Sequence, residues 1–134
     1  MQNPLGAEHD ALRKIMREFG ILLDAPLPDD MAHIQKIRME FSRLFRGHIV
    51  AERDYAQHCL TSADKAVHKL MEAHARCFHE LYFDYSHHVH HWPTDRIRED
   101  WWGYGQSVRA LQRRLLDLLA WEDREILPAL AATA

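Results

Sequence analysis

Apolar residues recur at steps of three and four along most of this 134-residue chain, and no stretch shows the strict alternation of a half-buried strand. The recurrence divides into four runs, each of which places its apolar residues on one face of a helix. Four such helices joined by short connections predict an all-α fold, an up-down-up-down antiparallel four-helix bundle. The apolar stripes would fill the interior of one domain over residues 1–134.

Three breaks separate the runs. The first lies in residues 24–30, where two prolines stop a helix and an aspartate can cap the next one. Thr61 or Ser62 is expected to close the second helix and cap the third. Pro93 disfavours helix in the residue before it, and Thr94 is a good N-cap for the fourth helix. The connections are therefore short enough to join neighbouring helices.

The start of the fourth run has two unusual features. Gly103 and Gly105 are expected to bend or break its first turns. Trp101 and Trp102 face different sides of the helix, so one of them should be exposed or cover a partner. An exposed tryptophan favours a homodimer.

Composition narrows the classes of partner. The formal net charge of −3 with neutral histidines creates no strong field, so nucleic acid and anionic membranes are not expected partners. No run of about 18 apolar residues and no basic leader followed by an apolar stretch occurs. We therefore expect a cytoplasmic protein.

The two cysteines, Cys59 and Cys77, fall in the second and third helices at different distances from the connecting turn. They are too far apart for a disulfide, and no C-x-x-C spacing suggests zinc or redox chemistry. We expect small, buried, reduced thiols.

Five polar residues interrupt the otherwise apolar stripes: His9, His48, Glu52, His74 and Glu122. Burying an imidazole or a carboxylate without partners costs roughly several kcal/mol of folding free energy. These side chains should therefore contact one another, water or a metal ion.

The positions of the turns test whether these residues lie at the same height in the bundle. Two residues at one height in antiparallel helices lie equally far from the connecting turn, so the midpoint of their residue numbers should fall in that turn. The midpoint of His9 and His48 is 28.5, in the proline-containing connection, and that of His48 and His74 is 61. The midpoint of His74 and position 118 is 96, in the turn from Pro93 to Arg96. Positions 9, 48, 74 and 118 are therefore predicted to form one layer.

The two glutamates extend this layer. His48 and Glu52 are four residues apart, which places them one above the other on the same helical face, where they can chelate one ion. Glu122 lies one turn beyond position 118 and should be level with Glu52. The two carboxylates could bridge a pair of cations, as carboxylates and imidazoles do in metal-binding bundles.

At these residues the chain resembles the hemerythrin-like, HHE cation-binding family. The matching stretches are Glu8–Arg13, Leu44–Glu52, His74 and Leu118–Leu130, whose acidic pair is followed by an apolar-apolar-Pro ending. The resemblance covers nearly the whole chain. It implies a hemerythrin-like fold that binds a transition metal, most readily non-haem iron, although the donor set also suits manganese or zinc.

The chain departs from the family pattern at one ligand. The family has a histidine four residues before the helix-four carboxylate, and this chain has Leu118 there. Family members with two histidines on helix three space them four apart, but Leu70 and Phe78 occupy those positions around His74. The resemblance therefore implies that one ion keeps its ligands, His9, His48 and the two glutamates. The second ion would keep only His74 and the same two glutamates. One metal is expected more readily than two.

The resemblance implies that an open coordination position on iron would take dioxygen, nitric oxide or peroxide. Carrier, sensor and redox roles fit this chemistry, and an enzymatic role is the less expected one. The alternative is a metal-free degenerate bundle, in which Leu118 marks a lost site and the protein acts as a regulatory or protein-interaction module. Haem binding ranks last because the chain has no attachment motif.

Several other histidines are possible metal ligands. His87 and His91 could hold a surface ion but lie at the end of the third helix, and His68 and His58 are reserve ligands near the central turn. Glu72 copies the H-x-x-x-E spacing with His68 but should be solvated.

Overall fold

The computed structural model of the protein describes residues 4–59 and 64–133, and this part of the chain is helical with no strand. Its elements in chain order are α1 (Pro4–Asp24), α2 (Ala32–Cys59), α3 (Lys65–His91), α4 (Thr94–Glu99), α5 (Trp101–Trp121), a π-helical turn (Glu122–Ile126) and α6 (Leu127–Thr133). The all-α prediction is confirmed. Within the described ranges, no helix combines the length and the apolar character needed to cross a membrane.

The four long helices contact one another in a ring, α1 with α2, α2 with α3, α3 with α5 and α5 with α1. Their inward faces form three apolar clusters, represented by Phe19, Ile34 and Tyr104, by Leu12, Phe45 and Leu119, and by Leu5, Met71 and Ile126. Along α1, His9 lies between Leu12 of the second cluster and Leu5 of the third. His74 lies between the same two clusters along α3.

Aspartates cap the N-termini of α2 and α3. The carboxylate of Asp30 accepts a hydrogen bond from the backbone N–H of Ala32 at 2.9 Å, which confirms the predicted aspartate cap of α2. Asp64 caps α3 in the same way, accepting a backbone N–H at 2.9 Å. The prediction that Thr61 or Ser62 caps this helix is wrong, and both residues lie outside the described ranges.

The connection between α3 and α5 contains a short helix rather than a simple turn. Thr94 is the first residue of α4, and Pro93 precedes it without a side-chain cap, so the prediction that Thr94 is the N-cap is wrong. Asp100 separates α4 from α5, and its carboxylate accepts the backbone N–H of Gly103 at 2.9 Å. The predicted break therefore falls at Asp100, while Gly105 lies within α5 without interrupting it.

Trp101 and Trp102 face different environments, as predicted. The indole of Trp101 donates a hydrogen bond to the backbone carbonyl of Ala25 at 2.9 Å. Trp102 is 75% exposed. The hydrogen bond of Trp101 therefore ties the start of α5 to the residue that follows α1.

The described part of α3 directs Phe78 inward and Cys77 outward. Cys77 is a free, exposed cysteine, so the prediction of a buried thiol at this position is wrong. The larger apolar ring takes the interior position because it removes more apolar surface from water. The side chain of Cys59 lies outside the described residues.

The helix that begins at Trp101 continues past Trp121 through the π turn into α6. A π turn holds one residue more than an α turn, which rotates the side chains after it relative to a regular helix. Ile126 is buried as a result, whereas Glu125 is exposed. An uninterrupted repeat of three- and four-residue steps would predict Glu125, three residues after Glu122, on the inward stripe; the π turn makes that prediction wrong.

Candidate metal centre

A layer of polar side chains interrupts the apolar interior. Its members are the buried histidines and carboxylates of the described chain, His9, His48, Glu52, His74 and Glu122, which are called the polar layer below. They are the five residues that the sequence analysis assigned to one site. They come from α1, α2, α3 and the π turn, and none is more than 6% exposed. The structure therefore brings all five together.

Two imidazoles of the polar layer converge on one carboxylate oxygen. The rings of His9 and His48 meet edge to face, with centroids 4.8 Å apart. Nε2 of His9 lies 2.5 Å from Oε2 of Glu122, and Nε2 of His48 lies 3.1 Å from the same oxygen. The Nε2 atoms of both rings therefore face the interior of the layer.

The outer ring nitrogens of these histidines contact two further carboxylates. Nδ1 of His9 lies 2.7 Å from Oδ1 of Asp123, and Nδ1 of His48 lies 2.8 Å from Oε2 of Glu8. Arg13 donates a hydrogen bond to the other oxygen of Asp123 at 2.6 Å. An imidazole that donates its Nδ1–H to a carboxylate keeps the Nε2 lone pair for a ligand, which is the usual arrangement of metal-binding histidines.

Sequence reasoning assigned no role to Glu8 or Asp123. Each adjoins a member of the polar layer in the chain, but each contacts a different member in space. Glu8 precedes His9 in the chain but contacts His48, and Asp123 follows Glu122 but contacts His9. Adjacency was the available signal, whereas the crosswise pairing depends on how the helices are rotated against one another.

The two glutamates lie between the imidazoles of α2 and α3. Glu52 places Oε1 2.5 Å from Nε2 of His48 and Oε2 3.2 Å from Nε2 of His74. Glu122 places Oε1 3.0 Å from Nε2 of His74, while its Oε2 faces the other two histidines. The carboxylates thus divide the polar layer into a side with two histidines and a side with one.

Charges within the polar layer shift the protonation of its members. Burial alone would lower the pKa of His48, but Glu122 and Glu52 outweigh it and raise this pKa from 6.5 to about 10. The same carboxylates raise the pKa of His74 to about 9, also against burial. Burial raises the pKa of Glu52; it would also raise that of Glu122, but the histidines around Glu122 hold its pKa well below the usual range. The buried carboxylates therefore require positive charge, from protons or from a cation.

The geometry on the two-histidine side fits a cation. One ligand atom from each of His9, His48, Glu52 and Glu122 can be chosen so that all four lie within 4.8 Å of one another. Bonds of about 2.0–2.2 Å from such atoms to a transition metal place opposing ligands roughly 4 Å apart. Oε1 of Glu52 is buried without an aligned hydrogen bond, despite its closeness to His48. Oε1 of Glu52 and Nε2 of His48 are thus close without being hydrogen-bonded, which is compatible with both atoms binding one ion.

The single-histidine side offers fewer donors. His74 lies outside the group of four, and its ring packs against Phe78 and Trp121 at centroid distances of 4.8 Å and 5.7 Å. Leu118 is half-buried and packs against the second apolar cluster. Apart from the shared carboxylates, this side therefore presents one imidazole nitrogen in an apolar setting.

A cavity of about 780 Å³ between α2 and α3 reaches the polar layer. Glu52 and His74 line it, together with the arginines Arg46, Arg53 and Arg76 and the acidic Glu80. Small molecules thus have a route to the carboxylates of the polar layer.

The other candidate ligands do not join the polar layer. His87 and His91 are exposed at the end of α3, and Glu72 is exposed, as its predicted solvation requires. Nε2 of His68 is buried without a hydrogen-bond partner in the described part of the chain, but His68 is not among the four grouped ligands. The side chain of His58 lies outside the described residues.

Comparisons with known proteins add no family to this picture. No protein-family model matches the chain, and searches of curated proteins and of solved structures yield no significant match.

Proposed function

We propose that this chain is a hemerythrin-like four-helix-bundle protein that binds one transition metal ion, most readily non-haem iron, with manganese and zinc as the other candidates. His9, His48, Glu52 and Glu122 would hold the ion. The observation that carries the proposal is the convergence of these four buried side chains, together with the carboxylates on the outer nitrogens of both histidines. Preoriented imidazoles of this kind are a regular property of metal ligands.

Opposite helix directions support the proposed bundle topology. His9 of α1 contacts Glu122 beyond the end of α5, whereas Asp24 at the end of α1 contacts Arg109 nearer the start of α5. The two helices therefore run in opposite directions. Together with the ring of contacts among the four long helices, this arrangement is the one expected of an up-down-up-down bundle.

The proposed stoichiometry is one ion rather than two. The position at which the family resemblance implies a further histidine holds Leu118, which packs against the second apolar cluster. A second ion would depend on His74, the shared oxygens of Glu52 and Glu122, and solvent. Such a site has fewer protein donors than the four-ligand site, so we expect it to bind more weakly.

The metal, when bound, would supply an open coordination position for dioxygen, nitric oxide or peroxide. The cavity beside Glu52 and His74 provides access for such small molecules. The protein residues would hold the ion, orient the imidazoles and exclude bulk water from the interior face. A carrier or sensor role follows most directly, since no nucleophile or separate acid-base pair is assigned at the layer.

One observation favours the metal-free alternative. With raised pKa values of about 10 and about 9, His48 and His74 carry protons at neutral pH and can neutralise the buried glutamates themselves. A protonated layer is therefore a consistent structural unit, and such a bundle could serve as a regulatory or protein-interaction module. Metal and protons compete for the same nitrogens, so the two states can be separated experimentally.

Thermal unfolding of tag-free protein tests the proposal. After chelator treatment, addition of Fe(II) without oxygen, Mn(II) or Zn(II) should raise the Tm of the wild-type protein by about 5 °C or more at saturation. His48→Ala should abolish the shift because it removes one of the four ligands. Glu72→Ala removes an exposed glutamate with the same sequence spacing and should retain it. If none of the three metals changes the Tm, the metal-free alternative replaces the proposal.

A further inference from the structure

A second cavity, of about 720 Å³, lies where α2, α3 and α5 face one another. None of the five residues of the polar layer lines it. Its volume is in the range of small-molecule sites, roughly 300–1,000 Å³. We call it the Tyr104 cavity, after one of the residues that line it.

The wall of the Tyr104 cavity is mainly aromatic and aliphatic. Phe19, Phe41 and Val108 line it with Tyr104, which has no exposed surface. The hydroxyl of Tyr104 is buried and has no hydrogen-bond partner in the described part of the chain. A buried, unpaired hydroxyl is unfavourable, and a ligand that accepts its hydrogen would remove this defect.

One side of the Tyr104 cavity is strongly cationic. Arg38, Arg43 and Arg46 of α2 line it, and no aspartate or glutamate does. Arg43 is paired with Glu40 at 2.6 Å, and Arg38 donates to the backbone carbonyl of Trp92 at 2.9 Å. Arg46 makes no ion pair with any described residue, so its charge is available to a ligand.

The remaining polar groups of the cavity add no negative charge. Ser42 and Tyr85 are hydrogen-bonded to each other. His88 contacts the hydroxyl of Ser107 through Nδ1 at 2.6 Å, and burial lowers the pKa of His88 to about 4, with help from Arg38, so the ring is neutral. The cavity thus combines an apolar wall with uncompensated positive charge.

We propose that the Tyr104 cavity binds a small amphipathic monocarboxylate, whose apolar body packs against Phe19, Phe41 and Val108 and whose carboxylate contacts Arg46 and the hydroxyl of Tyr104. The arginine and the tyrosine hydroxyl select an anionic head group that accepts hydrogen bonds. The aromatic wall selects an apolar tail. This binding does not depend on the candidate metal centre, because the two sites share no proposed ligand.

Calorimetric titration with three probes of equal tail length tests the head-group preference. Decanoate, decanol and decyltrimethylammonium are titrated, below their micelle concentrations, into the full chain before and after chelator treatment. Decanoate should bind with one site per chain and at least about tenfold more tightly than the other two, unchanged by the chelator. Similar affinity for all three probes would overturn the proposal, because only apolar contact would then be involved.

Three variants locate the decanoate site. Arg46→Gln should weaken decanoate about tenfold, because it removes the unpaired charge. Arg46 also lines the cavity beside the polar layer, so Arg76→Gln, which alters only that other cavity, is the matched control and should leave decanoate affinity unchanged. Tyr104→Phe should weaken decanoate without lowering the Tm of the free protein, because the lost hydroxyl had no partner. Decanoate binding that responds to Arg76→Gln but not to Tyr104→Phe would contradict the proposal.

Discussion

At the scale of single residues, the candidate centre depends on which ring nitrogen of each histidine faces inward. His9 and His48 direct Nε2 to Glu122 because Asp123 and Glu8 occupy their Nδ1 atoms. A carboxylate at Nδ1 also increases the basicity of the ring, which strengthens its bond to a metal. The outer carboxylates are therefore expected to contribute to metal affinity without touching the ion.

Neutral replacements of the outer carboxylates test their contribution. Glu8→Gln and Asp123→Asn should each weaken metal binding by about tenfold to a hundredfold, measured by competition with a chromophoric chelator in the absence of oxygen. Asp10→Asn is the matched control, because Asp10 lies on the same helix as His9 and its side chain is 85% exposed. Equal affinities for all three variants would contradict an orienting role for Glu8 and Asp123.

At the scale of helices and turns, stripe positions were predictable and local interruptions were not. His9, His48 and His74 could be assigned to the interior because each continues an apolar stripe. The break at Asp100 depends on a hydrogen bond between its carboxylate and the backbone N–H of Gly103, and the spacing of apolar residues does not predict that bond. The π turn likewise inserts one residue into a turn, and so the exposure of Glu125 could not follow from a regular repeat.

The start of α5 gives a test at this scale. A Cβ at position 103 would overlap the carboxylate of Asp100, so Gly103→Ala should displace the cap and cost about 1 kcal/mol of unfolding free energy before any gain in helix propensity. In an Asp100→Ala background the cap is already absent, and the same substitution should stabilise by up to about 1 kcal/mol.

Gly20→Ala is the control for this cycle, because a Cβ there meets no neighbouring atom within 4 Å and should stabilise equally in both backgrounds. Urea unfolding of the single and double variants gives the coupling free energy between positions 100 and 103. A coupling of zero would show that Gly103 is not required for the Asp100 cap.

At the scale of the whole molecule, the polar layer is the region where four distant parts of the chain meet. Turn symmetry predicted that His9, His48 and His74 share a level, the four-residue helical spacing added the glutamates, and the structure brings these residues together. Symmetry could not predict that Glu8 and Asp123 pair crosswise with the histidines, because rotation of each helix about its axis decides those contacts. It also could not predict the Tyr104 cavity, which depends on volumes that neighbouring side chains leave unfilled.

The central claim is that the layer holds one ion and that Leu118 limits the second. Elemental analysis after anaerobic reconstitution with Fe(II) measures this directly, for the wild-type protein beside Leu118→His. We expect about one ion per chain in the wild type and a higher content in Leu118→His, because the turn midpoints place position 118 level with His74, where a histidine would add a nitrogen ligand. No bound metal in either protein would contradict the account and leave the polar layer as a structural network of protonated histidines and carboxylates.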